Sequence, residues 1–511
     1  MDSQSFTQAV AMIKRDFGAF IPETVLSIAI CLLLLHDVLV KGATGRAAAA
    51  LALVATVIAG IAVVHDVAPR NEELFGWMQD GRKLGMIRDD AFARFFKGFT
   101  LLGTLIAIPM TLSHKALQGR KMGEWYALLL GAALGMLVMA SATHLLMFFM
   151  GVEFASMASY LLTSYIKRDM KGSEAGMKYA IYGSVASAAM IFGMSLLYGL
   201  CGGLHITDLA HALSATSTSS TALLVAGALV FAGFAYKMAA FPMHFWCPDV
   251  YEGAPTPFAA FLSVTSKAAG FAVFIRFLMA FAPGFKIEFG GGNASLDWRG
   301  LITIACVASM TLGNLGALLQ DNVKRMLAYS SIAHAGYLLM GVVVLAPGAA
   351  PEQIRPLLFY FLAYMFMNLG AFYVVTALES REGVPSTIRS FAGIGRRSPV
   401  FGICMTLFLF SLIGIPPTAG FTGKWMLLNA LIRQPQPMIW LAVVAGLNTA
   451  ISAYYYFRLV RAMWLDKSSD DSPVVFARLA TLMVVALAIP TIWMFIDSDR
   501  VIAFAGHFVL G

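Results

Sequence analysis

Charge is what this chain has least of: Asp, Glu, Lys and Arg together make up 13% of its 511 residues, against roughly 25% in soluble proteins. With 59% of its residues hydrophobic, it carries more apolar surface than one water-soluble core can enclose, and a polytopic membrane protein is the class that fits. Cysteine is scarce as well. Cys31, Cys201, Cys247, Cys306 and Cys404 stand singly, with no CxxC pair and no Cys/His cluster, so the sequence offers no frame for an iron–sulfur centre, zinc or haem. There is no GxGxxG turn after a strand and no Walker A loop, so neither a redox cofactor nor a nucleotide is expected on the chain itself. The net charge of +8 does not point to nucleic acid, because Lys and Arg are spread over short loops. The start does not read as a cleaved signal peptide. After Lys14 and Arg15 an apolar stretch runs to about Val40, too long for such a segment; it contains Pro22-Glu23 and no convincing cleavage site. It reads as a first transmembrane helix.

A helix needs about 20 apolar residues to cross a bilayer. On that rule an all-α fold of about fourteen spans is predicted, near 20–40, 47–65, 95–113, 124–141, 143–164, 175–200, 222–245, 256–282, 300–320, 325–346, 355–378, 399–430, 438–463 and 474–497. Loops after odd-numbered spans hold Lys41, Arg46, Lys115, Arg120, Lys121, Lys167, Arg168, Lys171, Lys324, Arg325, Arg381, Arg389, Arg396, Arg397, Arg458, Arg461 and Lys467; short loops on the other side hold little beyond Lys286, Arg299, Arg355 and Arg433. The positive-inside rule then puts both termini outside, with a mixed-charge external loop over roughly 66–94.

Two spans read as interrupted. The seventh contains Pro242 and Pro248 in AYKMAAFPMHFWCPD, and the twelfth contains Pro416-Pro417 in SLIGIPPTAGFTGKW. Proline removes a backbone donor and clashes with the preceding turn, so both helices are expected to break. Broken backbone at membrane depth is tolerated where it is buried in protein or lines a hydrated cavity. The breaks lie about 175–185 residues apart, each with a lysine beside it, Lys237 and Lys424, the pattern of internally repeated transporters. The organisation expected is three helices and the external loop over 1–123, a five-helix repeat over 124–282, a second over 300–463, and a last helix within 464–511.

Seven ionisable residues sit in apolar stretches: Glu153, Lys178, Lys237, His244, Lys267, His334 and Lys424. A charge at mid-bilayer costs at least about 2.5–3.5 kcal/mol, so each needs a reason to be there. A lysine in a dry site loses its preference for the ammonium form and can load and release a proton. The alternative for Lys237 and Lys424 is snorkelling to the interface. Glu153 opposite a lysine forms either a proton-pump element or a structural pair. Lys267 lies about eleven residues into the eighth span. His244, beside the break, and His334, between the two halves, read equally as proton shuttles or as satisfied imidazoles. Lys178, near a helix end, fits snorkelling best. Asp249 and Glu252 in PDVYEGAPTPF read as structural members of a capped loop.

The strings FPMHFWCPDVYEGAPTPFAAFLSVTSKAA, GNLGALLQDNVKRMLAYSSIAHAGYLLMG and GIPPTAGFTGKW closely resemble the antiporter-like membrane subunits of complex I, and within them subunit N of NADH:quinone oxidoreductase, also called subunit 2. The resemblance runs from about Pro22 to Tyr456, and loop 66–94 matches nothing in it. The M-type sister normally has a glutamate where Lys424 stands, and the long lateral helix of the L-type sister is missing here. The resemblance implies fourteen helices in two inverted five-helix repeats with the seventh and twelfth broken. It assigns Glu153 as the coupling glutamate, Lys237 and Lys267 as the first-half and central lysines, and Lys424 as the lysine of the second half-channel. His244 and His334 fall at more variable axis positions.

The function so implied is outward proton pumping coupled to quinone reduction in other subunits, which makes the chain part of a translocase without a redox centre of its own. NADH, FMN, iron–sulfur clusters and quinone are expected on partner subunits. The expected partners are the M-type subunit, small K- and J-type subunits and the lipid bilayer of a bacterial inner membrane. Two alternatives stay open: a subunit of a multisubunit Na⁺/H⁺ antiporter, and a structural membrane subunit that does not pump.

Overall fold

The computed structural model describes residues 16–40, 45–65, 72–79, 82–118, 122–167, 169–215, 220–281, 286–289, 294–345, 351–382, 386–468 and 472–508. Lys14, Arg15, Lys41, Arg120, Lys121 and Arg168 lie outside the described residues. Among the described residues, 13 helices are long and apolar enough to cross a membrane. In chain order the first eight spans are Ile21–Leu39, Gly45–His65, Ala91–Ser113, Met122–Ser141, Leu145–Thr163, Met170–Cys201, Ser220–Met238 and a run from Thr256 to Phe281. The ninth to eleventh are Trp298–Leu318, Val323–Val344 and Arg355–Glu382, and the thirteenth and fourteenth are Ile439–Trp464 and Arg478–Ile496. The twelfth is in two pieces, Pro399–Ile413 and Ala419–Ile432. The described residues thus form an all-α polytopic bundle of fourteen spans. Spans eight, ten and eleven form its buried centre, while the first, second, thirteenth and fourteenth turn apolar residues such as Ile28, Val64, Leu447 and Ile489 outward, as lipid-facing helices do.

Loops of like parity meet each other, which fixes the alternation of the spans. At the even-loop end stand two antiparallel ladders, Glu72–Leu74 on Ile87–Asp89 and Trp77–Gln79 on Arg82–Leu84. They are stitched down: the Thr143 amide donates to Met86 O at 3.0 Å, and Glu73 meets His205 at 3.2 Å. At the other end the Ile388 amide donates to Asp321 O and the Val323 amide to Ser386 O, at 2.8 and 2.7 Å. Spans four to eight start from the odd-loop end and nine to thirteen from the even-loop end. Five is an odd number, so the second group of five is inverted relative to the first.

Both expected breaks are present. The seventh span stops at Met238, and Ala239 takes a positive φ of 53°. The first half of the twelfth stops at Ile413, and Gly414 takes a φ of 91°. Each half-helix therefore ends on a left-handed residue, the usual C-terminal stop. Residues 246–253 correct the sequence reading: Asp249 and Glu252 stand on a short helix, Trp246–Gly253, and not in a loop, because Pro248 falls in its first turn, where a missing amide donor costs nothing. A second difference is a π-helical turn at Leu262–Ser266 inside the eighth span, ending where Lys267 begins.

Candidate functional site

The two break lysines occupy equivalent electrostatic positions. A half-helix ends with unpaired carbonyls and the negative pole of its dipole, a place that favours a cation. Lys237 lies in the last turn of its half-helix and is 1% exposed. Lys424 starts from the second half of the twelfth span and donates to Leu412 O and Ile413 O, the last carbonyls of the first half, at 3.0 and 2.9 Å. The free carbonyl end of the first half-helix is therefore the ligand set of a buried ammonium.

Glu153 and Lys237 are each held by a serine and not by one another. Ser187 on the sixth span donates to Glu153 Oε1. The Lys237 ammonium donates to Ser156 Oγ at 3.1 Å, three residues along from Glu153 and on the same face of the helix. Between this pair and the odd-loop end lies an aromatic layer. Tyr179 stacks on Trp246 with centroids 4.5 Å apart, Tyr160 meets Tyr179 edge-on at 4.9 Å, and the Tyr236 hydroxyl donates to Tyr179 O at 2.8 Å.

The tenth span carries the connection from the centre to the second break. Lys267 donates to Ser331 O. One turn further, His334 Nδ1 is 2.6 Å from the Tyr360 hydroxyl. One turn beyond that, the Tyr337 ring lies 4.3 Å from Lys424 Nζ, while its hydroxyl is 2.9 Å from Thr449 Oγ1. Ser331, His334 and Tyr337 are spaced by three residues, which keeps them on one stripe of the helix. The π-turn before Lys267 inserts one residue into the register of the eighth span and sets the direction of the lysine toward that stripe.

The structure thus brings Lys267, His334 and Lys424 into one line and sets Glu153 beside Lys237. It does not bring in the other two. His244 lies at the first break between Phe241 and Phe245, with its Nδ1 buried and without a hydrogen-bond partner. Lys178 is 39% exposed and pairs with Glu174 and Asp249 at 2.7 and 2.8 Å, within a rim cluster completed by Arg325, Glu252 and Lys171. Burial works against ionisation of Asp249, but hydrogen bonds from Lys178 and Arg325 outweigh it and hold the carboxyl below the usual range.

Several buried ionic groups escaped the sequence reading. Lys97 and Glu23 pair at 2.7 Å with both side chains almost fully enclosed. Arg276 grips Asp90 through two hydrogen bonds of 2.7 and 2.9 Å. Glu379 meets His114 at 3.8 Å and accepts from Thr256 and Ser386. Arg94, Lys97 and Arg276 stand amid phenylalanines in AFARFFKGF and FAVFIRFL, and that flanking was the available signal.

A multi-pass membrane protein with two inverted five-span groups, each broken beside a buried lysine, is of the antiporter-like class. A family model described as "NADH:quinone oxidoreductase/Mrp antiporter, TM" matches residues 142–451. "NADH-quinone oxidoreductase subunit N 2" of Chloroherpeton thalassium is 39% identical over 493 residues, covering 95% of this chain and 93% of the relative. A chain of respiratory complex I from Thermus thermophilus superposes with a TM-score of 0.74 at 26% identity, covering 94% of this chain and 98% of its own length. A chain of the Mrp complex from Dietzia sp. DQ12-45-1b shares the fold, with a TM-score of 0.81 at 21% identity and 97% of each chain covered. The chain belongs to the NADH-quinone oxidoreductase subunit N family.

Proposed function

We propose that this chain is a proton-translocating subunit in the membrane arm of a bacterial NADH:quinone oxidoreductase, moving protons outward while quinone is reduced in other subunits. The observation that carries the reading is the continuity of Lys267, Ser331, His334, Tyr337 and Lys424 through the buried centre. A structural subunit has no need for ammonium groups there, each costing several kcal/mol to bury.

In this reading Glu153 and Lys237 form the coupling pair. A charge change in a neighbouring subunit draws Glu153 toward or away from Lys237, exchanging serine hydrogen bonds for an ion pair. Lys237 then releases its proton toward Lys267 and, by way of His334, to Lys424, which discharges it on the outer side. Residues 124–282 and 300–463 act as the two half-channels, flanked by 1–123 and 464–511. The excess of Lys and Arg in the odd-numbered loops supports a cytoplasmic odd-loop end and periplasmic termini in an inner membrane. NADH, FMN, iron–sulfur clusters and quinone belong to partner subunits, with the M-type subunit and small K- and J-type subunits as membrane neighbours. Identity to subunit N relatives over nearly the whole chain favours this over the Na⁺/H⁺ antiporter alternative.

The test is the intact complex carrying Lys237→Ala, reconstituted in vesicles, with quinone reduction and acidification recorded together. The assembled complex is expected to lose pumping. An unchanged proton-to-electron ratio would remove Lys237 from the mechanism and favour a structural subunit.

A further inference from the structure

Spans eight and eleven run antiparallel through the centre of the bundle, and their polar residues meet in register. At the odd-loop end, Thr256 of span eight donates to Glu379 of span eleven. Further in, Asn368 Nδ2 donates to Ser263 Oγ at 2.6 Å. At the third level Lys267 reaches Ser331 O, and the Ser331 hydroxyl accepts from Tyr364 at 3.0 Å. Moving up span eight through 256, 263 and 267 is moving back along span eleven through 379, 368 and 364. Steps of seven and four residues on one helix, and of eleven and four on the other, each return to nearly the same face. The three levels therefore form one polar line from the end of the bundle to the central lysine.

Groups along this line retain unused hydrogen-bonding capacity. Asn368 Oδ1, His114 Nδ1 and Ser266 Oγ, next to Lys267, are buried without a hydrogen-bond partner. An unsatisfied buried polar atom costs about 1–3 kcal/mol, and an ordered water is its common remedy. The Glu379 side chain, 3.8 Å from His114 Nε2 and acted on by the buried Lys324 ammonium of span ten, is 19% exposed, so the outer end of the line meets solvent. From Thr256 to Ser263 the helix rises about 10 Å, a distance that a chain of a few waters would span.

We propose that Glu379, with His114 beside it, is the proton-loading site of the odd-loop end, feeding Lys267 through water held at Ser263 and Asn368. The inference rests on the reading of Lys267 as part of the translocation path. The step is a transfer of protons alone. A hydronium ion at the surface protonates the Glu379 carboxylate and is left as water, the proton passes inward along hydroxyls and water, and the neutral Lys267 amine accepts it, leaving Glu379 ionised again.

Glu379→Gln in the intact, reconstituted complex tests this, with Glu379→Asp and Lys267→Ala alongside and acidification recorded against quinone reduction. The glutamine keeps an acceptor for the neighbouring hydroxyls but cannot carry a proton. Its pumping rate is expected to fall roughly tenfold or more, and Glu379→Asp to recover to within about threefold of the parent. Normal pumping in Glu379→Gln where Lys267→Ala stops it would overturn the loading site and leave the axis intact, as would equal impairment by Gln and Asp. Normal pumping in both Glu379→Gln and Lys267→Ala would overturn the axis reading and this inference with it. If Glu379→Gln fails to assemble, Ser263→Ala decides by the same readout: slowed pumping supports the line, and an unchanged rate overturns it.

Discussion

Lys424 and Tyr337 stand face to face, the ammonium 4.3 Å from the centre of the ring, and the same lysine closes onto the carbonyls of Leu412 and Ile413. The ring is worth about 0.5–2 kcal/mol to the cation, a factor of roughly 2 to 30 in an equilibrium. Tyr337→Phe keeps the ring and is expected to pump within about twofold of the parent, whereas Tyr337→Leu removes stabilisation of the ammonium and is expected to cut proton loading at Lys424, and pumping with it, by up to about thirtyfold. Pumping rates in vesicles check this. Equal impairment of the two variants would show that the hydroxyl, not the ring, matters to Lys424.

Ser156 supplies the hydrogen bond that Lys237 makes in this state. A neutral hydrogen bond contributes about 0.5–1.5 kcal/mol net, so Ser156→Ala is expected to lower the pumping rate by about two- to tenfold without abolishing it. Lys237→Ala is expected to abolish it. Parallel stoichiometry measurements on the two variants separate the proton carrier from its support.

The π-turn at Leu262–Ser266 makes a sharper prediction. Its wider winding already absorbs one extra residue, so adding an alanine after Ser266, outside the turn, rotates the rest of the span by about 100° relative to the part before it. The Lys267 side chain then leaves the Ser331 stripe or the span repacks. The insertion variant is expected to assemble poorly or to reduce quinone without pumping. A fully coupled complex would dissociate the facing of Lys267 from function.

At the even-loop end, Asp90 caps the third span through Ala93 N at 2.7 Å and holds Arg276 of the eighth. Burial works against ionisation of Asp90, but Arg276 and its own hydrogen bonds outweigh it and hold the carboxyl below its ordinary 3.8. A depressed carboxyl contributes stability that is fully present above the unfolded value and is lost as pH falls through the folded one. The contact is therefore expected to be constant from about pH 5 to 8 and to fail only in stronger acid. Asp90→Asn leaves the guanidinium buried without a counter-charge, and thermal unfolding of the purified protein should show a loss of about 3–5 kcal/mol. Adding Arg276→Gln should return a large part of it.

How much of this was legible beforehand follows from what each feature rests on. Span positions depend on hydrophobic runs, and the first, at 20–40, falls within a residue of Ile21–Leu39 at each end. The breaks depend on proline, which speaks locally, so both were found. The linking groups were not. Ser156, Ser187, Ser331 and Tyr337 are ordinary residues in membrane helices, where hydroxyls can bond back to the preceding turn, and only neighbouring spans give them a role. Glu379 sits where a span meets its loop, a position that in sequence reads as a solvated helix end. Asn368 needed its partner on the eighth span to be noticed. The fate of Lys178 shows the converse, since its counter-ion Asp249 lies 71 positions away. The two ladders within 72–89 were opaque for another reason: their strands have three residues each, too short to establish an alternating pattern.

The two breaks look alike but differ in one atom. The second ends on Gly414, for which a left-handed backbone is free; the first ends on Ala239, whose β-carbon makes the same geometry unfavourable by about 1–2 kcal/mol. The inverted halves are thus symmetrical in shape and unequal in tension. The backbone next to Lys237 carries that strain, and the backbone ahead of Lys424 does not. On the function proposed above, the strained break is the one at the coupling end and the relaxed break is the one at the discharge end.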